Sequence, residues 1–172
     1  MKQFKVYLVA IILICILSTS ILLCACNPDP PEYKPTMKVY RCKNIENYKY
    51  SAIINSTEEI AVLCDEATSP IFQKENYESN KELIEKLKEY DESFFRDNSI
   101  VIFFLGHTGG EYYLKNFEIV DESLNLTLAN KLKKSAIYPA VVIPFIHVVE
   151  FAKDKLNGAT KINVDLIRIF EE

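Results

Sequence analysis

The sequence predicts a single α+β domain with an N-terminal helical part and a mainly antiparallel sheet of about five strands. The clearest helical patterns lie before residue 91, whereas β-prone segments crowd residues 98–170. Strands that follow one another without intervening helices favour antiparallel pairing. Ile100 to Leu105 is an unbroken apolar run, the pattern of a strand buried on both faces. We therefore expect this strand to lie at the centre of the sheet.

Residues 1–25 have the plan of a secretory signal peptide. Lys2 and Lys5 precede a long apolar run. Leu23-Cys24-Ala25-Cys26 then resembles a bacterial lipobox, in which Cys26 receives the lipid. An uncleaved anchor stays open, because residues 6–25 are long enough to cross a bilayer, and so does plain secretion. The lipobox predicts a protein anchored by lipid to the extracytoplasmic face of the cell membrane.

A proline-rich tether is expected over residues 26–36, and the α+β domain over residues 37–172. Four prolines fall within residues 27–35, a density that favours extended, unpacked chain. Residues 37–90 form a strand and helix prefix, with β-prone segments at Met37–Cys42 and Tyr48–Ile54, and residues 91–172 form a β-rich part. Removal of Lys2 and Lys5 would change the net charge from −4 to −6. An acidic chain with scattered charges argues against a nucleic-acid partner.

Two capping patterns predict helices in the prefix. Ser56 can cap a first helix while Glu59 reaches back, and Ser79 and Glu82 repeat the pattern after a polar loop over Pro70–Ser79. The expected buried residues are Ile60, Cys64 and either Val62 or Leu63 in the first helix, and Leu83, Ile84, Leu87 and Tyr90 in the second. Phe94 and Phe95 are flanked by charged residues and predict an apolar anchor on a short polar turn.

The segments after the central strand predict further strands. Glu111–Val120 is followed by a turn at Asp121–Ser123 and then by alternation through Leu124, Leu126 and Leu128. Asn130–Ser135 is expected to be a loop. The last strand, Lys161–Phe170, shifts its apolar phase near Ile167, which predicts a bulge or burial on both faces.

Residues 145–156 fit two structures. Ile146–Phe151 is β-rich, which favours a strand, although Pro144 argues against a central one. A helix from Pro144 to Leu156, ending at Gly158, is the alternative.

Cys42 and Cys64 are the two cysteines that remain after those of the signal and the anchor. Outside the cytoplasm they form a possible disulfide, and two buried free thiols are the alternative.

The candidate binding loop is Gly106–Gly110, which consists of Gly106, His107, Thr108, Gly109 and Gly110 and holds three of the chain's four glycines. A hairpin connection is the simpler explanation of the glycines, and we expect His107 to be exposed. His147 is expected to be a satisfied residue of the sheet. We assign no catalytic residue, metal ligand or cofactor, because no nucleophile motif and no metal-ligand spacing is present in the sequence.

One family resemblance rests on three motifs. They are Asp91-Glu-Ser-Phe-Phe-Arg-Asp-Asn-Ser-Ile-Val-Ile, Thr108-Gly-Gly110 and Ile146-His-Val-Val-Glu-Phe-Ala-Lys153. Together they resemble the C-terminal domain of small bacterial accessory lipoproteins of protease complexes, over roughly Tyr90 to Ile169. The chain departs from that pattern in having Glu111 directly after Gly110, where a tyrosine is common. The resemblance implies a non-catalytic surface lipoprotein that binds or steadies an exported protease or another envelope protein.

These observations predict a lipid-anchored accessory or binding protein that acts through protein contacts. The alternatives are a surface protease inhibitor that uses the Gly106–Gly110 loop, and a hydrolase of the cell envelope.

Overall fold

Asn98–His107 is one of the two central strands of a four-stranded sheet, as the apolar run at Ile100–Leu105 predicts. The computed structural model describes residues 33–45, 49–138 and 142–171. The chain divides into two units, Met1–Lys34 and Pro35–Glu172, and all elements below belong to the second. Cys26 and the predicted signal peptide lie outside the described residues. Among the helices that the structure describes, none has the length and apolarity needed to cross a bilayer.

The strands, in chain order, are β1 (Thr36–Arg41), β2 (Ser51–Ile54), β3 (Asn98–His107), β4 (Glu111–Val120), β5 (Ser123–Lys133), β6 (Ile143–Ala152) and β7 (Lys161–Glu171). The helices are α1 (Thr57–Leu63), α2 (Lys74–Tyr77), α3 (Lys81–Lys88) and α4 (Glu92–Asp97), with 3-10 turns at Glu78–Asn80 and Lys153–Leu156. The predicted α+β class is therefore confirmed, with five strands following one another in the C-terminal half.

The strands form two sheets. Sheet A has the order β1-β6-β3-β2 and is antiparallel throughout, and sheet B has the order β4-β5-β7. In sheet B, β5 pairs antiparallel with β4 but parallel with β7. The chain therefore passes from sheet A to sheet B between β3 and β4, so the hairpin expected at Gly106–Gly110 is wrong. The turn expected at Asp121–Ser123 is confirmed as the β4–β5 connection, where Asp121 and Glu122 adopt positive φ.

Sheet A lies between the helices and sheet B. Because side chains alternate along a strand, Ile100 and Ile102 of β3 enter the helix-side core together with residues of the helices. On the opposite face, Phe151 of β6 meets Phe117 of β4 edge to face, with ring centroids 5.0 Å apart. Both faces of the central strand are thus buried.

The first helix begins as the capping pattern predicts. The Glu59 amide donates to Ser56 Oγ at 3.3 Å, and the Glu59 carboxylate accepts from the Asn55 amide at 2.6 Å. Leu63 is buried and Val62 is exposed, which settles the buried side of α1. The second capping pattern is wrong, because Ser79 lies in a 3-10 turn that follows α2 and makes no capping bond to α3. The buried residues predicted for α3 are confirmed.

The structure moves one boundary and decides two alternatives that the sequence left open. β5 continues through the expected loop to Lys133, because Leu132 pairs with Phe170 and is largely buried. Residues 143–152 form the strand β6, so the helix alternative for this segment is wrong. Pro144 is accommodated near the start of β6, where its carbonyl accepts the Cys42 amide at 3.1 Å. The shift in the apolar phase of β7 is not caused by a bulge, because the register of β7 with β5 is unbroken.

The helix-side core predicts the effect of truncating α3. Ile84→Ala removes a fully buried side chain and should lower the free energy of unfolding by about 2–5 kcal/mol. Val62→Ala, at an exposed site of α1, is the matched control and should change it by less than about 0.5 kcal/mol. Urea unfolding followed by circular dichroism measures both. Equal effects would contradict the assignment of these faces.

Candidate functional site

The Gly106–Gly110 loop is the corner at which the chain leaves sheet A and enters sheet B. Gly106 and His107 end β3, Thr108 and Gly109 cross between the sheets, and Gly110 precedes β4. His107 is only 8% exposed, so the expectation that it faces solvent is wrong. It has the same strand parity as Val101 and Phe103, and therefore points into the layer between the two sheets.

His107 meets His147 of β6 inside that layer. Their Nε2 atoms lie 2.8 Å apart, which is a hydrogen bond in which one ring donates and the other accepts. His147 is fully buried in the sheet, as expected, but within the described residues its hydrogen-bonding capacity is only partly satisfied. Its Nδ1 atom has no hydrogen-bond partner among the described residues. The hydrogen bond between the imidazoles therefore satisfies the Nε2 atom of each ring and leaves His147 Nδ1 unpaired among these residues.

Aromatic rings enclose the His107–His147 pair. The His107 ring stacks on Tyr112 of β4 with centroids 3.5 Å apart and on Phe145 of β6 at 4.2 Å. Phe103 of β3 stacks on His147 at 5.0 Å. Because these contacts join β3, β4 and β6, the pair fastens sheet A to sheet B at this end of the domain.

Burial keeps both imidazoles neutral. It lowers the pKa of His107 to about 4, and burial together with the charge of His107 lowers the pKa of His147 to about 3. Protonation of both rings would set two N–H donors and two positive charges against each other across the 2.8 Å contact. The two imidazoles therefore bind protons less tightly in the folded state than in the unfolded chain.

The pair is arranged as a structural contact. A base that activates a nucleophile needs a hydroxyl or thiol within hydrogen-bond reach. Within the described residues, the hydrogen bond that each imidazole makes is to the other imidazole. The same part of the chain holds no cluster of three or more His, Cys, Asp or Glu side chains that would bind a metal.

The glycines fit the corner tightly. Gly110 has a φ of +88°, and a Cβ there would meet Asn130 and lie 2.6 Å from the Lys131 carbonyl oxygen. Gly109 has a φ of +123°, and a Cβ there would run into the Tyr138 ring. Asn130 of β5 is buried and donates from Nδ2 to the Gly109 carbonyl at 3.2 Å. The loop is therefore held against sheet B.

Apolar side chains are exposed around this corner. Ile137 is fully exposed and Val142 is 59% exposed. Tyr138 covers Gly109, and Val142 lies against Gly106, so the segments on both sides of residues 139–141 lie on the loop. A groove of about 310 Å³ is lined by Phe104, Leu105, Gly106, Val142 and Pro144.

Cys42 and Cys64 are free thiols, so the disulfide alternative is wrong and the two buried thiols are confirmed. Each Sγ donates to a different backbone carbonyl, Cys42 to Tyr40 at 3.7 Å and Cys64 to Ile84 at 3.9 Å. Burial raises the pKa of Cys42 to about 12 and that of Cys64 to about 11. Both sulfurs therefore stay protonated and are weak nucleophiles.

Sequence patterns located the loop but missed its partners. Tyr112, Asn130, Tyr138 and Phe145 complete the corner, and none lies in a motif. The strand parity of His107 was the one sequence feature that indicated its burial, because His107 continues the alternation of the buried residues Val101 and Phe103. Compared with known proteins, the chain matches no protein-family model, no curated protein and no solved structure. The resemblance to accessory lipoproteins stays a prediction.

The buried histidines predict acid-sensitive stability. Folding depresses both pKa values below the unfolded value of about 6.5, so the contribution of the two histidines to stability is complete above that pH. It is lost as the pH falls towards about 4 for His107 and about 3 for His147. The double variant His107→Phe/His147→Phe should lose less free energy of unfolding between pH 7 and pH 5 than the parent chain. Urea titrations at each pH measure the difference, and identical pH slopes would contradict neutral buried histidines.

Substitutions at two glycines distinguish the cost of backbone strain from the cost of steric crowding. Gly158→Ala, at a φ of +82° with open space around the new methyl group, should destabilise the fold by about 1 kcal/mol. Gly110→Ala adds the collision with Asn130 and the Lys131 carbonyl, and should lower stability by roughly a further 1–3 kcal/mol. Thermal unfolding of both variants tests this, and equal losses would mean that the corner has room for a side chain.

Proposed function

We propose that this chain is a lipid-anchored extracytoplasmic accessory or binding protein that acts through protein contacts. The contact surface is the corner end of the domain, defined as the Gly106–Gly110 loop together with Ile137, Val142 and the adjoining groove. The observation that carries this proposal is the exposed apolar surface there, with Ile137 fully exposed and Val142 59% exposed. Exposed apolar side chains beside a groove, such as Val142 here, are typical of protein-binding surfaces.

The groove gives this surface its shape. Phe104 and Pro144 line the groove with apolar side chains, and the Val142 side chain lies directly over Gly106 at its edge, where a Cβ on Gly106 would collide with it. The volume of about 310 Å³ accepts one or two apolar side chains of a partner. A preformed groove on two paired strands binds without the entropy loss of ordering a loop.

The geometry of the loop favours a docking surface over insertion into a protease cleft. An inserting loop projects from its domain, whereas Gly109 lies beneath Tyr138 and its carbonyl is bound by Asn130. The enclosed, neutral His107–His147 pair likewise supports an architectural role more than a hydrolase centre. An exported protease or another envelope protein is the partner that the family resemblance implies.

Cys26 carries the anchoring part of the proposal. Cys26→Ser removes the sulfur that receives the lipid, so the protein should lose lipid labelling and either leave the membrane or accumulate as a precursor. Metabolic labelling with a fatty acid and membrane fractionation measure this. Continued labelling of the variant would exclude Cys26 as the anchor.

The contact surface is tested with a charge placed on the groove rim. Val142→Asp should reduce crosslinking to envelope proteins by about tenfold or more, because a buried unpaired carboxylate opposes an apolar contact. Val62→Asp, an exposed site on α1, is the control and should leave crosslinking unchanged. Full-length chains in intact membranes are crosslinked and partner bands are quantified. Equal loss in both variants, or none in either, would reject the corner end as the binding surface.

A further inference from the structure

The outer edges of the two sheets are protected to different degrees. β2 has four residues, and β1 carries Lys38 and Arg41 within six. β4 is interrupted by a register shift between Leu114 and Asn116. Short strands, charges and bulges are the devices that prevent edge-to-edge pairing. β7 also carries charges, but it differs in length and regularity, because its eleven residues run in unbroken register with β5. Its other edge pairs with no described strand, although β2 of sheet A lies close to it.

β7 also exposes apolar side chains. Phe170 is 58% exposed and Leu166 is 37% exposed, and both share the strand face that Ile162 occupies. The strand contains no proline, so every amide that points to its free edge can donate to a further strand, while the alternate amides face β5. An edge of this length, regularity and apolarity is suited to accept another strand.

The charges of β7 identify the strand that fits. Lys161 and Glu171 stand at its two ends and carry opposite charges. We propose that β7 pairs antiparallel with β7 of a second copy of this chain, with Leu166 on the twofold axis, so that the two B sheets form one six-stranded sheet. Each Lys161 then lies opposite Glu171 of the other copy, so opposite charges face each other. The Glu171 carboxylate also forms an ion pair with Lys131 of its own chain at 3.2 Å.

The register follows from comparing the possible centres. A twofold axis at Leu166 pairs the whole strand, and it sets Phe170 of each copy against Ile162 of the other. An axis at Asp165 or at Arg168 would place like charges directly opposite each other, which is destabilising. An axis at Ile167 would leave Lys161 without an opposing residue within β7. Among these centres, only an axis at Leu166 both pairs the two β7 strands over their whole length and sets Lys161 opposite Glu171.

Disulfide trapping tests the register in the full-length protein. Directly opposed residues of antiparallel strands have Cα atoms about 4.5–5.5 Å apart, a distance that a disulfide spans. Leu166→Cys chains should therefore form a covalent dimer when membranes are treated with a mild oxidant. Asn163→Cys is the matched control on the same exposed strand, because its Cα atoms would lie about 20 Å apart across the axis. We expect at least roughly tenfold more dimer for Leu166→Cys.

A charge swap supplies an independent measurement on the Leu166→Cys chain. Lys161→Glu sets carboxylates against each other at both ends and should lower the dimer yield by roughly tenfold. Adding Glu171→Lys should restore it, since the opposite charges face each other again. Protease resistance of each monomer verifies that the fold is intact.

Three outcomes would overturn the proposal. Equal trapping at Leu166→Cys and Asn163→Cys would show random encounters, and no trapping at Leu166→Cys in folded protein would exclude this register. Crosslinking of Leu166→Cys to a different protein, in place of a second copy, would assign the β7 edge to a foreign strand.

Discussion

Burial of β3 on both faces is the constraint on which the rest of this structure depends. Ile100 and Ile102 contribute to the core under the helices, while Val101 and Phe103 contribute to the layer beneath sheet B. A shift of one residue in register would exchange these two sets and place His107 on the other face. The same alternation that buries the apolar residues therefore also brings an imidazole between the sheets, where it must find a hydrogen-bond partner. His147 provides that partner at 2.8 Å.

The corner follows from this burial. Once β3 enters both cores, its end is fixed, and the chain has three residues in which to change sheets before β4 begins. Gly109 and Gly110 allow the change, because their positive φ values and close contacts exclude ordinary side chains. The glycines are thus explained by packing. The proposed contact surface depends instead on the exposed apolar side chains of Val142 and Ile137.

Local patterns predicted much of this fold from the sequence. The cap of α1, the buried residues of α3 and the alternation through Leu124 each depend on neighbours within a few residues, so periodicity and capping chemistry were sufficient. The assignment of β4 to a second sheet and the parallel pairing of β7 depend on contacts distant in sequence. A three-residue glycine connection fits a hairpin and a corner equally well, and His107 could not be paired with His147 forty residues away. Of the candidate site, the sequence therefore predicted the loop but not its burial.

Nuclear magnetic resonance of the two imidazoles tests this account most directly. With ¹⁵N-labelled histidine, both rings should stay neutral from pH 7 to pH 5, because burial lowers the pKa of His107 to about 4 and that of His147 to about 3. A scalar coupling between the two Nε2 nuclei should report the N–H···N bond across the 2.8 Å contact. Independent titration of either ring near its ordinary pKa of about 6.5, without such a coupling, would contradict the closed corner between the sheets.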